Sequence, residues 1–504
     1  MIGKSRATLP KTHSNWLSHL RQDVHHYIGI DGGSGANLLA DLAGRDPYLQ
    51  QATSPRQADL LIIVEPVSQK LVPAIVAMAQ ATASPSHVLI VGKPQAGLDT
   101  FSGVNLANLE NLFPGAHRVL DTSSEQVLHA ALDTERWSDM NVTDTPAHDE
   151  TTIQLPAKQE QEMATELAVV SVGPLQTFSA GPLRLFLICD GEQVFSVQME
   201  TEYAYRGIES AMLQGNWQQG LTLARHFDPL APNASQLVYV RALEDLQGWQ
   251  ASPQLQAIRE LAVTLERVQN ILWWLVRFAR LLADSILTGR SYQVARQLAE
   301  IQLQLWQRSP ESWLLPQYET EGILGDKNVI AQLQHVLQST DALRQYSERN
   351  RALALRTRGI GILTEEQLKN SGLAGSPVLA ASQQGSGDVQ SRLVTRVQAA
   401  HTNLRSATDI LPSLLTHHFT STHEASWNVP PGEARATVMG PRGDIALHLV
   451  HQETREQDGP TQVEWQGPSA PLVTLLPELL TGQKLADAEV ILASLDIAMA
   501  EVDG

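Results

Sequence analysis

The chain has 504 residues, 43% of them hydrophobic and 18% charged, with a formal net charge of −18. That length exceeds one hydrophobic core, so two or three domains are expected. An acidic balance without a basic stripe argues against a nucleic-acid partner. The single cysteine, Cys189, rules out an internal disulfide and a four-thiolate iron–sulphur site within the chain.

The opening "MIGKSRATLPKTHSNW" lacks an apolar signal core, which predicts a cytoplasmic protein. Residues 1 to 135 alternate strand and helix signals, beginning with "GIDGGSGANLLADLAG" at 29–44, where an apolar stretch runs into a glycine cluster and a helix-like run. Such a turn points backbone N–H groups at an anion. Here it lacks the Lys-Ser/Thr of a P-loop, has Asn37 just after it, and does not follow Gly-x-Gly-x-x-Gly. A plain tight turn is the expectation. "ADLLIIVEP" and "SHVLIVGKP" read as buried parallel strands, with helical spacing in "LVPAIVAMAQA" between them. The expectation for 1–135 is an α/β layer domain.

Residues 136–165 are polar and aperiodic and read as a linker. The rest, 166–504, reads as an α+β, mainly helical-bundle domain. "LRLFLICDG" and "QVFSVQMET" predict a hairpin turning at Asp190-Gly191, with Cys189 a buried small hydrophobe. "LEDLQGW", "QLQAIRELAVTLERVQNILWWLVRFARLLADSIL", "YQVARQLAEIQLQLWQ" and "TRVQAAHTNLRSATDILPSLL" keep helical periodicity. The longest apolar run, Ile271–Ala283, is broken by Arg277 and Arg280 and is not a membrane span. Trp273-Trp274 in that run predicts core or subunit-interface packing. "GEARATVMGPRGDIALHLV" predicts a hairpin turning at Pro441-Arg442-Gly443-Asp444.

Several of these strings resemble the B and D subunits of NADH–quinone oxidoreductase (complex I), themselves related to the small and large subunits of nickel–iron hydrogenases. "SPRQADLLIIVEPVSQKLVPAI", Ser54 to Ile75, resembles the B subunit after its paired cysteines. "GPLRLFLICDGEQV", "YAYRGIES", "RTRGIGILTEEQLKNSGLAGSP", "HHF", "PPGEARATVMGPRGDIALHLV" and "ASLDIAMAEVDG" resemble the D subunit. "LERVQNILW" (Leu265 to Trp273) and "YVRALEDL" lean towards the large subunit of hydrogenase-4-like membrane complexes. The resemblance implies a B-like protein fused to a D-like one.

It also implies where redox groups would sit. The B subunit's paired cluster cysteines fall at Gly32 and Gly33, the third ligand near Pro94 and the fourth near Asp121–Ser124. None of these side chains is Cys or His, and Gly and Pro have no lone pair to give. The D subunit's quinone-site histidines fall at Gln176 and Ala180, and its proton-donating tyrosine at Pro229, beside Asp228. Gln176 donates a hydrogen bond but releases no proton near neutral pH. The nickel–iron cysteine pairs of the hydrogenase branch fall near Phe227 and Leu230, and near Ala498 and Glu501. No catalytic residue, cofactor or metal is therefore expected in this chain.

What persists is structural: Arg184, Arg206, Glu209 and Asp228 as coupling or helix-holding charges, with Arg358, Gly359, Gly361, Pro441, Arg442 and Gly443 at turns. The adjacent pairs His25-His26 and His417-His418 read as surface histidines, the second lying near "THE" (Thr422–Glu424), where a zinc site is the sharper alternative. The leading expectation is a redox-inactive structural or coupling subunit, peripheral on the cytoplasmic side of the inner membrane and partnered by antiporter-like subunits. The alternatives are a component of a working NADH–quinone oxidoreductase or hydrogenase-like complex that keeps quinone or nucleotide binding, and a stand-alone binding protein.

Overall fold

The structure is a computed structural model describing residues 24–82, 87–94, 98, 101, 104–133, 167–176, 178–306, 314, 328–371, 373, 375–416, 427–453 and 458–504. The expected linker at 136–165, His417, His418 and Thr422–Glu424 lie outside the described residues.

Strands β1 (His25–Asp31), β2 (Leu49–Gln51), β3 (Leu60–Val64), β4 (His87–Val91) and β5 (His117–Val119) form a parallel sheet in the order β2-β1-β3-β4-β5. The central strand, Leu-Leu-Ile-Ile-Val, is buried at every position. Leu61 and Ile63 pack on Ile75, Val76 and Phe113 on one face. Leu60, Ile62 and Val64 pack on Leu42 and Val127 on the other. A strand covered on both sides has no reason to alternate, which is why it reads as a continuous apolar run. Its register with β1 sets Asp31 opposite Val64. Here the carboxyl ends of β1 and β3 open beside a topological switch point, the place where open α/β sheets form a crevice.

The second half begins with an antiparallel sheet of β6 (Ala168–Val172), β7 (Arg184–Asp190) and β8 (Gln193–Glu200). The β7–β8 hairpin turns at Gly191-Glu192, with Gly191 at φ +59°, one residue later than expected because Asp190 still pairs with Gln193. Cys189 is buried in β7. The bundle is built around one 29-residue helix, Pro253–Leu281, against which Pro232–Leu246, Ser285–Leu305 and Val389–Thr416 pack. Trp274 lies in its core, donating from Nε1 to the Ala493 carbonyl at 2.8 Å and stacked on Phe278. A third sheet comprises β9 (Gly432–Met439), β10 (Asp444–His451) and β11 (Gln462–Gln466); the β9–β10 turn holds Pro441, Arg442 and Gly443 as expected, but Asp444 already pairs with Met439 in β10. Helices Ser469–Leu480, Leu485–Leu495 and Met499–Asp503 close the chain. No helix among the described residues is long and apolar enough to cross a membrane.

The periodic run from Gln254 to Leu287 is two helices, not one. Ala283 adopts φ +52°, and the Asp284 carboxylate accepts from Leu287 N at 2.9 Å and from the Tyr346 hydroxyl at 3.1 Å. Asp284 is thus an N-cap that also ties in a neighbouring helix. Asp284→Ala is expected to lower stability by about 1–2 kcal/mol, read as a fall in the midpoint of denaturant unfolding.

Candidate functional site

At the end of β1 the Asp31 carboxylate folds back on the glycine turn. Its Oδ1 accepts from Gly33 N at 2.8 Å and Gly35 N at 2.6 Å. The N–H groups that a phosphate would need are therefore already spent on a fixed negative charge, and the turn is a closed loop rather than an anion cradle. Ser34 Oγ donates to the Glu65 carbonyl at 2.7 Å, joining this turn to the exit of β3. A Cβ on Gly32 would stand 2.0 Å from the Pro66 carbonyl oxygen and 2.9 Å from that of Val64. Gly33, at φ +121°, faces Ala204 and Ala500, whose Cβ atoms lie 3.2 and 3.9 Å from its own ideal Cβ.

The loop between β6 and β7 meets this turn from the other half. Gly181, at φ +91°, has a Cβ position 3.2 Å from Gly33 Cα and 3.2 Å from Met499 Cβ. Ala180 donates from its N–H to the Ile497 carbonyl at 2.9 Å and accepts from Met499 N at 2.8 Å. Ala36, Ala180, Leu230 and Ala498 form one buried apolar cluster. The side chain of Gln176 is turned inward on its own loop: Nε2 donates to Ser179 Oγ at 2.7 Å and to the Gly181 carbonyl at 3.2 Å, and Oε1 accepts from Phe178 N at 3.1 Å.

The positions to which the resemblance carries redox ligands thus fall into two groups. Gly33 and Ala180 meet in one place, Gly33 against Ala500 and Ala180 paired to Ala498. Pro94 and Asp121–Ser123 are exposed, and Ser124 Oγ bonds Asp41. An iron–sulphur cluster does not fit these residues: they supply no thiolate or imidazole, and the backbone of Pro66 fills the space a side chain at position 32 would need. A nickel–iron centre does not fit Phe227, Leu230, Ala498 and Glu501 either, since one carboxylate replaces four thiolates.

Charges surround this small-residue seam, and several are wholly buried. Arg442, 1% exposed, bonds Asp228 through Nη2 and Glu501 through Nε, the latter at 2.6 Å. Glu501 also accepts from Ser469 N at 3.1 Å. Burial pushes its carboxyl up to about 7 even though Arg442 pulls it down. Burial works against the charge on the Arg442 guanidinium, but Asp228, Glu501 and Asp496 together hold its proton more firmly than water does. Arg206 donates to the Ala500 carbonyl at 3.0 Å and leaves Nε and Nη1 without partners among the described residues. Burial lowers its pKa to about 10 against the pull of Asp228, Asp503 and Asp31. Asp496 bridges Arg277 at 3.4 Å and Arg396 at 3.2 Å. Arg277 reaches across to Asn37 Oδ1 at 2.6 Å, a direct polar contact between the two halves.

Of the four persistent charges, Asp228 and Arg206 belong to this network. Glu209 instead accepts from Trp465 N at 2.8 Å, holding β11. Arg184 pairs with Glu200 at 3.7 Å on the β6–β8 sheet and stacks over Phe186. Between the halves lies a cavity of about 560 Å³, lined among others by Asp31, Leu39, Met78, Gln176, Arg277 and Arg280. Asp31 lies in the glycine-turn string, Glu266 in "LERVQNILW" and Asp496 in "ASLDIAMAEVDG", but none of the three stands out as a site residue from sequence alone.

Residues 389–504 match the family model described as "Respiratory-chain NADH dehydrogenase, 49 Kd subunit". The C-terminal region is a domain of the complex I 49 kDa, or D-like, type. The chain is 24% identical over 413 residues to the second D-type component of the NADH-quinone oxidoreductase of Koribacter versatilis, covering 71% of this chain and 100% of that protein. It is 26% identical over 396 residues to the second D-type component of the NADH-quinone oxidoreductase of Roseiflexus sp. (strain RS-1), covering 67% of this chain and 93% of that protein. A chain of the membrane-bound sulfane sulfur reductase, an archaeal respiratory membrane complex, shares the fold with a TM-score of 0.58 and 21% identity, over 67% of this chain and 98% of that one. The D-like domain therefore has relatives that are components of membrane-bound respiratory complexes.

Proposed function

We propose that the chain is a redox-silent structural or coupling component of a membrane-bound complex I-like or hydrogenase-4-like assembly. In this reading the parallel-sheet half is a B-like domain joined to the D-like one, and the fusion fixes their stoichiometry. One observation carries it: Gly33, Gly181, Ala180, Ala498 and Ala500 pack backbone against backbone where the relatives' redox groups are placed by the resemblance. Such packing puts no thiolate or imidazole at these positions and supports the absence of a metal cluster there. The buried ions around it have an internal, rigidifying role instead, and antiporter-like membrane subunits are the partners proposed, with peripheral placement on the cytoplasmic face of the inner membrane.

The test is purification from membranes in mild detergent. Membrane subunits are expected to co-purify, with far less than one iron per copy of this chain and no cluster signal by electron paramagnetic resonance assigned to it. A cluster or stoichiometric iron seated in this polypeptide, or a monodisperse free protein with no membrane partner, overturns the proposal.

The cavity between the halves favours a second reading, a component of a working quinone-reducing complex that still binds quinone. In that case reduced nicotinamide cofactor added to the purified complex reduces a soluble quinone, and Leu39→Trp, which fills the cavity wall, abolishes it.

A further inference from the structure

Three carboxyl side chains and one guanidinium meet inside the D-like half: Asp228, Glu266, Glu501 and Arg442, none more than 6% exposed. Arg442 spends its bonds on Asp228 and Glu501. Glu266, projecting from the helix Pro253–Leu281, receives none of them. Its Oε1 accepts from Asn233 N and its Oε2 from Ala234 N, both at 2.9 Å, where the helix Pro232–Leu246 begins. The facing charges are Asp228, from the segment leading into that helix, and Arg442, from the β9–β10 turn. On its own helix, Asn270 turns its amide to the Leu230 carbonyl at 2.6 Å and to the Glu266 carbonyl at 3.0 Å, away from the carboxyl group.

The charges do not balance if every acid ionises. Three carboxylates would share Arg442, and the next guanidinium, Arg206, is also claimed by Asp503 and Asp31. Arg277 and Arg396 are held by Asp496. A buried anion without a counter-charge escapes its cost by taking up a proton. Among the three, the acid without an ion pair is the first to do so.

We infer that Glu266 is a proton-binding site of the folded chain, a neutral carboxylic acid held beside the Asp228–Arg442–Glu501 triad. Burial pushes its carboxyl up to about 8, although the two backbone N–H groups and Arg442 pull it down. Releasing the proton places a new charge at the positive end of the helix Pro232–Leu246 and against Asp228. Arg442 is then drawn among three carboxylates instead of two. Because Arg442 sits in the β9–β10 turn and Glu501 in the last helix, the proton count of one side chain is felt by three separate segments. This concerns the chain's own residues and holds whether or not the assembly transfers electrons.

Infrared difference spectroscopy of the full-length chain reads the protonated carboxyl C=O stretch directly. The wild type is expected to show a component of this band that fades with a midpoint about 8, and Glu266→Gln is expected to lose that component and keep only what fades near 7 with Glu501. The ratio of unfolding constants, wild type over Glu266→Gln, is expected to rise about tenfold per pH unit between roughly pH 5 and 8, because the folded wild type holds one more proton than the unfolded chain. A wild type without that component, or a band unchanged in Glu266→Gln, overturns the inference. Should that variant not fold, Glu266→Asp must move the midpoint of the component; an unmoved midpoint overturns it equally.

Discussion

Gly32→Ala is expected to destabilise the chain by about 3 kcal/mol or more, at the upper end of overpacking in a close-packed interior. The added Cβ would stand 2.0 Å from the Pro66 carbonyl oxygen and 2.9 Å from the Val64 carbonyl oxygen, both backbone atoms. A flexible side chain yields to such an intrusion, but here the exits of β1 and β3 must part. They are joined by Gly32 N donating to Val64 O at 3.2 Å and by Ser34 Oγ donating to Glu65 O. Parting them also pulls Gly33 from Gly181, so the loss reaches the contact between the halves. The midpoint of denaturant unfolding measures it, with Gly191→Ala as a comparison: that glycine has φ +59° but open space around its Cβ, so it costs only left-handed backbone strain, about 1 kcal/mol. Equal losses at the two positions would mean that Gly32 is not held by close approach. The same geometry predicts that restoring cysteines at positions 32 and 33 yields unfolded protein rather than an iron-binding one.

Much of this arrangement is visible in the sequence, and what is not has identifiable physical reasons. β3 and β4 announce themselves because both faces of a parallel sheet are covered. β6 does not, since Ala168 to Val172 are exposed or half-buried and show no period. β11 is only five residues long, and its two buried side chains, Val463 and Trp465, are too few to establish alternation. The break at Asp284 is hidden because apolar spacing runs through it; only the capping carboxylate betrays it.

In the site, the residue types at Gly32, Ala180 and Pro229 are read directly, but not that Asp31 closes the glycine turn or that Ala180 pairs with Ala498. Glu266 is different in kind. The helix around it is buried on nearly all sides, with Ala262, Leu265, Val268 and Ile271 all 3% exposed or less. A glutamate in such a run must be paired, capping or protonated. That question is legible locally; its answer lies with Asn233 and Ala234, on another helix. Arg442 reads locally as a hairpin residue, because its partners Asp228 and Glu501 are 214 and 59 positions away.

Arg442→Met is expected to cost about 3–5 kcal/mol, the loss typical when one member of a buried ion pair is removed and its partners stay behind. Methionine keeps much of the volume, so the loss isolates charge from packing. The pH dependence identifies its origin. Glu501, pushed up to about 7 by burial against the pull of Arg442, binds its proton more tightly folded than unfolded. Its contribution is complete below the unfolded range near 4.5 and is lost as pH rises through about 7. Without Arg442 only the Ser469 hydrogen bond opposes burial, so this loss deepens and extends to higher pH. The gap between wild type and Arg442→Met should therefore be smaller at pH 5, where Glu501 is protonated in both and only Asp228 loses its partner, and larger at pH 8. Arg442→Lys should fall between them, because an ammonium keeps the charge and its donors but offers them from one nitrogen, without the spread that lets the guanidinium reach Asp228 from Nη2 and Glu501 from Nε. A gap equal at both pH values would mean that Arg442 acts through its shape, and the ion network would then not be what holds the β9–β10 turn to the final helix.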